Sequence, residues 1–363
     1  MFKFPERINN LRKVIKNKEF EAIFISNEYN RRYLSGFSGS SGFLLISQNE
    51  ALLFTDFRYI EQASLEATGF KISIIENPKT RLIDQINKLE LKSIGFESDD
   101  VTVDFLETLK NQFSDKKSTI TLHPTKGITS KLREIKSVEE IQLLKKAIQI
   151  SDQAFNSVSE TISVGDSEED IAWRFEKLVR ELGGEAISFD TIVASGPNGA
   201  RPHHKAGKSL IKEGDTIVFD CGARYQGYCS DLTRTVIVGS PDKFTIKIYE
   251  TVLAAQETAF ALLESGISGS DCDSLSRNII NESGYSKNFG HSLGHGVGLE
   301  VHELPGVGPR STNIISENMV FTIEPGIYIP NLGGIRIEDD IYLEEDVALS
   351  LTTLNRELVF LPL

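Results

Sequence analysis

The chain has only three cysteines, Cys221, Cys229 and Cys272. An odd number without CxxC spacing supports neither a disulfide framework nor a zinc knuckle. Basic charge is also scarce: 39 Lys and Arg against 52 Asp and Glu give a net charge of -13. A general binder of phosphate backbones needs a basic face to displace counterions, so that class is excluded. No run approaches the ~18 consecutive apolar residues of a spanning helix. The opening MFKFPERINN carries charges where a signal peptide has its apolar core. A cytoplasmic protein without nucleic-acid or membrane partners is expected.

What the chain does have is a concentration of imidazole. Three of its six histidines, His291, His295 and His302, lie in GHSLGHGVGLEVHE. A helical zinc-protease motif needs HExxH, whereas His291-Ser-Leu-Gly-His295 has no Glu and glycines beside both histidines.

At 363 residues the chain is long for one domain and comfortable for two. Up to about residue 125, apolar runs such as EAIFIS, GFLLIS and ALLFTD read as strands, and YIEQASLEA and TRLIDQINKL read as helices. GFSGSSG (36–42) lacks the Gly-Lys-Ser/Thr ending of a phosphate loop and reads as a turn. His123, beside Pro124, reads as a loop residue of the interdomain stretch. From Ser137, a capping box with Glu140 opens a helix running toward Gly165, and SEEDIAWRFEKLVREL forms a second, closed by Gly183-Gly184. Strand-like TIVAS, TIVFD and YCSDLTRTVIV follow. The order then repeats, with helices over about Asp242–Glu264 and Asp271–Glu282, then strand-like GLEVHE, MVFTIEPGIYI and IRIEDDIYL. EGDTIVFDCG (213–222) aligns with ENMVFTIEPG (317–326), so that Asp220 meets Glu324 and Gly222 meets Gly326. Two helices and then strands, twice over, predict a pseudo-two-fold α+β domain.

Single acids in strands are ordinarily solvated, but here they form a pattern. Asp220 and Asp231 lie eleven positions apart across a Gly-containing turn, and Glu324 and Glu338 fourteen apart in strands joined by Gly-rich sequence. Four carboxylates converging from buried strand ends repel one another unless cations intervene, and two divalent ions would neutralise them. Carboxylates with one imidazole suit Mn(II) or Co(II), with Zn(II) as a further candidate. Cys221 and Cys229 read as packing residues.

TIVFDCG, SDLTRT, GHSLGHGVGLEVHE, TIEPGIY and GIRIED, in that order, resemble the five metal-site motifs of the pita-bread metallopeptidases, which include aminopeptidase P, prolidase and methionine aminopeptidase. RRYLSGFSGSSG and LLFTDFRY resemble the smaller domain of aminopeptidase P and prolidase, which methionine aminopeptidases generally lack. TDFRY departs from the family's TDGRY-like element. The resemblance implies an α/β creatinase-like N-terminal domain (1–125) before a catalytic pita-bread domain (126–363). It makes Asp220, Asp231, His295, Glu324 and Glu338 the metal ligands, with Asp231 and Glu338 bridging two ions. It makes His203, His291, His302 and Arg336 substrate-side groups, with Glu324 also able to move a proton, and leaves His204 as a loop residue. The activity implied is hydrolysis of Xaa-Pro bonds by a homodimer acting on peptides with proline second, as an aminopeptidase, with a dipeptidase as the alternative. A metal-free creatinase-like enzyme or a non-catalytic binding protein on this fold should have lost ligand positions, and all five are present.

Overall fold

Apolar runs of four or five residues form the strands of the first unit, as their length and composition predict. The computed structural model describes residues 3–75, 81–115 and 120–361, and the chain divides into two units, Met1–Arg133 and Glu134–Leu363. In the first, β1 (Ala22–Ile25), β2 (Phe43–Ser47), β3 (Ala51–Thr55), β4 (Lys71–Ile74), β5 (Ser93–Glu97) and β6 (Thr121–Thr125) make one sheet in the order β4-β3-β2-β1-β5-β6. β2 pairs antiparallel with both β1 and β3, while β4, β5 and β6 join in parallel. Helices α1 (Phe4–Ile15), α2 (Glu28–Ser35), α3 (Ile60–Glu66), α4 (Arg81–Lys88), α5 (Val103–Asp115) and α6 (Ile128–Arg133) complete it. Thr80, at the start of the expected TRLIDQINKL helix, lies outside the described residues. GFSGSSG links α2 to β2 without regular structure. His123 is not in a loop but in β6. The adjacent Pro124 is tolerated there because β6 is an edge strand with one side free of ladder partners.

The second unit contains the repeat. Its first half carries α7 (Val138–Ser159) and α8 (Glu168–Glu181), and its second half α9 (Lys243–Leu262) and α10 (Gly269–Glu282). Ser137 and Glu140 form the capping box of α7 reciprocally, and Gly183, at φ +96°, ends α8 in the left-handed conformation. α7 stops at Ser159, short of the expected Gly165, and Asp242 is the N-cap of α9 rather than its first residue.

The strands are β7 (Ala186–Ile187), β8 (Ile192–Ser195), β9 (Thr216–Cys221), β10 (Ala223–Tyr225), β11 (Tyr228–Cys229), β12 (Leu232–Val238), β13 (Gly294–Gly296), β14 (Glu303–Val307), β15 (Val320–Ile323), β16 (Gly326–Ile329), β17 (Gly333–Arg336), β18 (Asp339–Glu344), β19 (Val347–Ser350) and β20 (Val359–Leu361). The larger sheets run β20-β12-β9-β8 and β14-β13-β15-β18-β19, one per half. Each half has its own core. Phe155, Phe175 and Phe219 pack the first, and Val252, Ala255, Phe321 and Ile323 the second. Each large side chain contributes on the order of 2 kcal/mol. Among the described residues no helix is long and apolar enough to cross a membrane.

Two strand expectations change in a way that shapes the site. GLEVHE is not a strand: residues 298–302 are bends and only Glu303 enters β14. The backbone groups a ladder would use are spent locally, since Gly298 donates to the Glu300 carbonyl and accepts from the Cys229 amide. MVFTIEPGIYI breaks into β15 and β16 at Glu324-Pro325, where proline lacks the N–H to continue the ladder, and IRIEDDIYL breaks into β17 and β18 at Ile337-Glu338. Both glutamates therefore sit at interruptions rather than inside strands.

Candidate active site

The register of the two larger sheets brings the acids together. In the β9–β12 hairpin Asp220 faces Thr233, and Asp231 sits just before β12. In the other half Ile323 pairs with Asp339, which leaves Glu324 and Glu338 at the same end of the β15–β18 pair. The two halves are joined at this point by a bridge between Thr233 and Glu338. His295 is the middle residue of the three-residue β13. A Cβ on Gly294 would lie 1.9 Å from the Thr322 carbonyl oxygen, and one on Gly296 would lie 2.1 Å from that of Leu304. Glycine on both sides of His295 is thus demanded by close backbone approach.

All nine residues selected from the sequence line one cavity of about 730 Å³. Asp231, His295 and Glu338 each offer a ligand atom, and these atoms lie within 4.8 Å of one another. His295 Nε2 is 3.4 Å from Glu324 Oε1 and 3.6 Å from Asp231 Oδ2. Asp220 receives Arg336 on Oδ2 at 2.5 Å, while its buried Oδ1 has no hydrogen-bond partner. Glu338 Oε2 accepts from the Thr233 hydroxyl at 2.6 Å, and the Asp231 amide donates to Asp340 Oδ2 at 3.0 Å.

Burial and mutual repulsion push these carboxyls upward. Burial raises Asp231, and the charges of Glu338, Asp220, Asp340 and Glu324 raise it further. Burial, then Asp220, takes Glu338 up to about 8, and burial, then Glu338, takes Glu324 well above the carboxylate range. Burial also raises Asp220, against the pull of Arg336. His295 is driven down to about 4, by burial and then by His302, whose ring centroid is 4.2 Å away. With the Nδ1 proton of His295 directed at the Gly296 carbonyl 3.2 Å away, its Nε2 presents a lone pair to two carboxylates. Such an arrangement of donors facing donors fits divalent cations: they would accept that lone pair, occupy the unpartnered Asp220 oxygen and relieve the repulsion.

His291 is differently placed. Its Nδ1 faces the Ser292 carbonyl at 2.8 Å and its Nε2 the Tyr328 hydroxyl at 2.9 Å, so both ring nitrogens are occupied by protein. Burial, then Arg336, lowers it to about 4, which keeps the ring neutral. Tyr328 Oη also accepts from Arg336 Nη1 at 2.8 Å, and Arg336 Nε donates to Thr233 Oγ1 at 3.0 Å. His302 immediately precedes β14, and burial lowers it too. His203 projects from the loop after a short 3-10 helix, Gly196–Ala200, onto the same cavity wall as Asp220, His291 and His302.

Sequence reading missed Tyr328, which looked like an ordinary strand aromatic, and Lys205, the second residue after His203 on the cavity wall. His204 does lie in a loop, as expected, but its tie to α8 was not legible. The ring lies 2.7 Å from the wholly buried Glu168 carboxylate.

Comparison with known proteins matches residues 142–345 to metallopeptidase family M24 and residues 7–135 to the creatinase/prolidase N-terminal domain. An Xaa-Pro dipeptidase of Pyrococcus horikoshii is 40% identical over 357 residues, covering 98% of this chain and 99% of that protein. The solved structure of an Xaa-Pro dipeptidase from Bacillus anthracis is similar with a TM-score of 0.95 and 40% identity, over 99% of this chain and 100% of that one. An X-Pro aminopeptidase structure from Thermotoga maritima gives 0.89 and 38% identity, over 97% and 99%.

Proposed function

The chain belongs to metallopeptidase family M24, the pita-bread peptidases, and on that premise we propose that it hydrolyses the bond before proline as an Xaa-Pro dipeptidase. The convergence of Asp231, His295 and Glu338, with Asp220 and Glu324 on the same cavity wall, carries the reading. Two divalent cations, Mn(II) before Co(II) or Zn(II), would be held by these five residues and would supply Lewis acidity and a water acidified toward neutrality.

The protein's own groups account for the rest. His203 and His302, on the cavity wall, donate hydrogen bonds to the oxygen that gains charge in the transition state. Glu324 passes a proton to the leaving nitrogen. Tyr328, Thr233 and Asp220 lock the Arg336 guanidinium, which supports the substrate side without searching for a conformation. Neutral His291, held at both nitrogens, shapes that same wall. Proline's tertiary amide has no N–H for an ordinary peptidase to grip, so recognition falls on such groups.

The dipeptidase reading is supported by the Pyrococcus horikoshii and Bacillus anthracis relatives. The Thermotoga maritima likeness favours a second reading, an Xaa-Pro aminopeptidase. Rates on an Xaa-Pro dipeptide and an Xaa-Pro-Yaa tripeptide, each with Mn(II), Co(II) and Zn(II), separate them: the first reading requires the dipeptide to be cleaved at least ten-fold faster. We also infer a cytoplasmic homodimer, on the resemblance of the N-terminal domain to those of aminopeptidase P and prolidase.

A further inference from the structure

Glu168 opens α8, and a first-turn acid after a Ser167 N-cap would ordinarily face water. Its side chain is instead fully buried and serves as a hub. Oε1 accepts from the Ser195 amide at 2.9 Å, the Ser195 hydroxyl at 2.8 Å and Asn198 Nδ2 at 2.7 Å. Oε2 meets His204 Nε2 at 2.7 Å and the Gly207 amide at 3.4 Å. Burial alone would raise this carboxyl, but the bonds from Asn198, His204 and Ser195 outweigh it and hold it below its ordinary range. An ionised carboxylate only accepts, so the His204 nitrogen donates.

These contacts gather the segment from Ser195 to Gly207 around one buried charge. Its first part is also held by the pairing of Ser195 in β8 and by the close approach of Gly199 to Gly334, and Ala206 packs on the core of the first half, but residues 201–205 have few other ties. After the 3-10 helix ends at Ala200 no regular structure follows until residue 210, and the backbone returns to α8 only where Glu169 and Glu168 donate to the carbonyls of Gly207 and Ser209. Arg201 bonds Asn198, inside the same loop. Between 201 and 206, the His204–Glu168 bond is the side-chain tie that reaches a helix. His203, next in the chain, lines the cavity together with His204.

We propose that Glu168 and His204 are positioning residues for hydrolysis, latching the 201–206 loop so that His203 is held toward the reacting carbonyl. The proposal rests on the peptidase reading above. Glu168 does not line the cavity, so its effect passes through His204.

The test uses the full, metal-loaded chain with His204→Leu, His204→Gln, His203→Ala and the double variant His203→Ala/His204→Leu. His204→Leu removes the donor, and His204→Gln restores one at similar reach. The expected result is a kcat for an Xaa-Pro dipeptide reduced roughly 10–100-fold in His204→Leu, the range for residues that orient others, with metal content unchanged and the protein still folded, at a lower Tm because buried Glu168 loses one donor. His204→Gln should recover most of it. The double variant should be no slower than His203→Ala alone, since both changes remove one function. Amide hydrogen exchange over 203–206 should rise in His204→Leu and fall back in His204→Gln. A wild-type kcat in His204→Leu, multiplicative losses in the double variant, or unchanged exchange over 203–206 would each overturn the latch. Failure of the wild-type protein to cleave any Xaa-Pro peptide would overturn the functional reading instead, and the exchange data would still decide whether the latch exists.

Discussion

Arg336 Nη2 donates to Asp220 Oδ2 over 2.5 Å, and both residues are buried. Arg336 contacts the acidic cluster directly, and removing it strands Asp220 among other carboxylates. Arg336→Met is expected to lower the stability of the chelated protein by about 3–5 kcal/mol, as when a buried pair loses one partner. Denaturant unfolding measures this, and saturating Mn(II) should return part of the loss. An unchanged midpoint would mean that Asp220 is not charged in the metal-free protein.

The histidines of GHSLGHGVGLEVHE should separate by experiment. His295→Ala is expected to lose at least one equivalent of bound metal per chain, read by elemental analysis after dialysis. His302→Ala should keep its metal and lose about 10²–10³-fold in kcat, the range for a donor to a developing oxyanion. Equal metal loss in both would give them the same job.

Stability should depend on pH in a direction set by the acids. Glu338 is raised from 4.5 to about 8, and Asp231 and Glu324 are raised as well. A raised folded-state value stabilises fully below the unfolded value and is lost as pH climbs through the folded one. Between about pH 4 and 6.5 the lowered His291 and His295 pull the other way, so the Tm of the chelated protein is expected to fall between about pH 7 and 9, and bound Mn(II) should flatten that slope. A Tm that rises with pH over that range under chelation would contradict this.

Gly294→Ala and Gly296→Ala test the packing around His295. The added carbons would collide with backbone carbonyls at 1.9 and 2.1 Å, which cannot swing aside as side chains do. We expect a folded protein that binds metal at least ten-fold more weakly, or one destabilised by more than about 2 kcal/mol. Wild-type metal affinity and Tm in both variants would refute the constraint.

Behind the site, Arg234 Nη2 binds Asp339 Oδ1 at 2.6 Å and Nη1 binds the Glu338 carbonyl at 2.6 Å, while Gln256 reaches the Ile323 carbonyl at 3.2 Å. This cluster touches Glu338 itself and the chain neighbours of two proposed ligands, Glu324 and Glu338. Asp339→Asn is expected to weaken metal binding roughly 10–100-fold by titration calorimetry, without contacting the metal.

Much of this site was legible before the fold. Asp220, Asp231, Glu324 and Glu338 stood out because ionisable groups at the ends of apolar strands need an explanation, and the internal repeat paired Asp220 with Glu324. The break at Glu324-Pro325 was visible as a proline, yet its effect depended on which ladder it interrupted. GLEVHE looked like a strand because Leu299 and Val301 alternate with polar neighbours, a period that bends can also produce. Glu168 and His204 lie 36 positions apart, and nothing local tells a buried first-turn acid from a solvated one. Their pairing exists only after α8 and the 195–209 segment meet.

The most direct test is hydrolysis of an Xaa-Pro dipeptide by the full chain as Mn(II) is titrated into a chelated preparation. Activity is expected to be absent without metal, to rise as two equivalents per chain bind, and to stay absent in Asp231→Asn at every metal concentration. Full turnover by a demonstrably metal-free preparation, or none with Mn(II), Co(II) or Zn(II), would contradict the assignment.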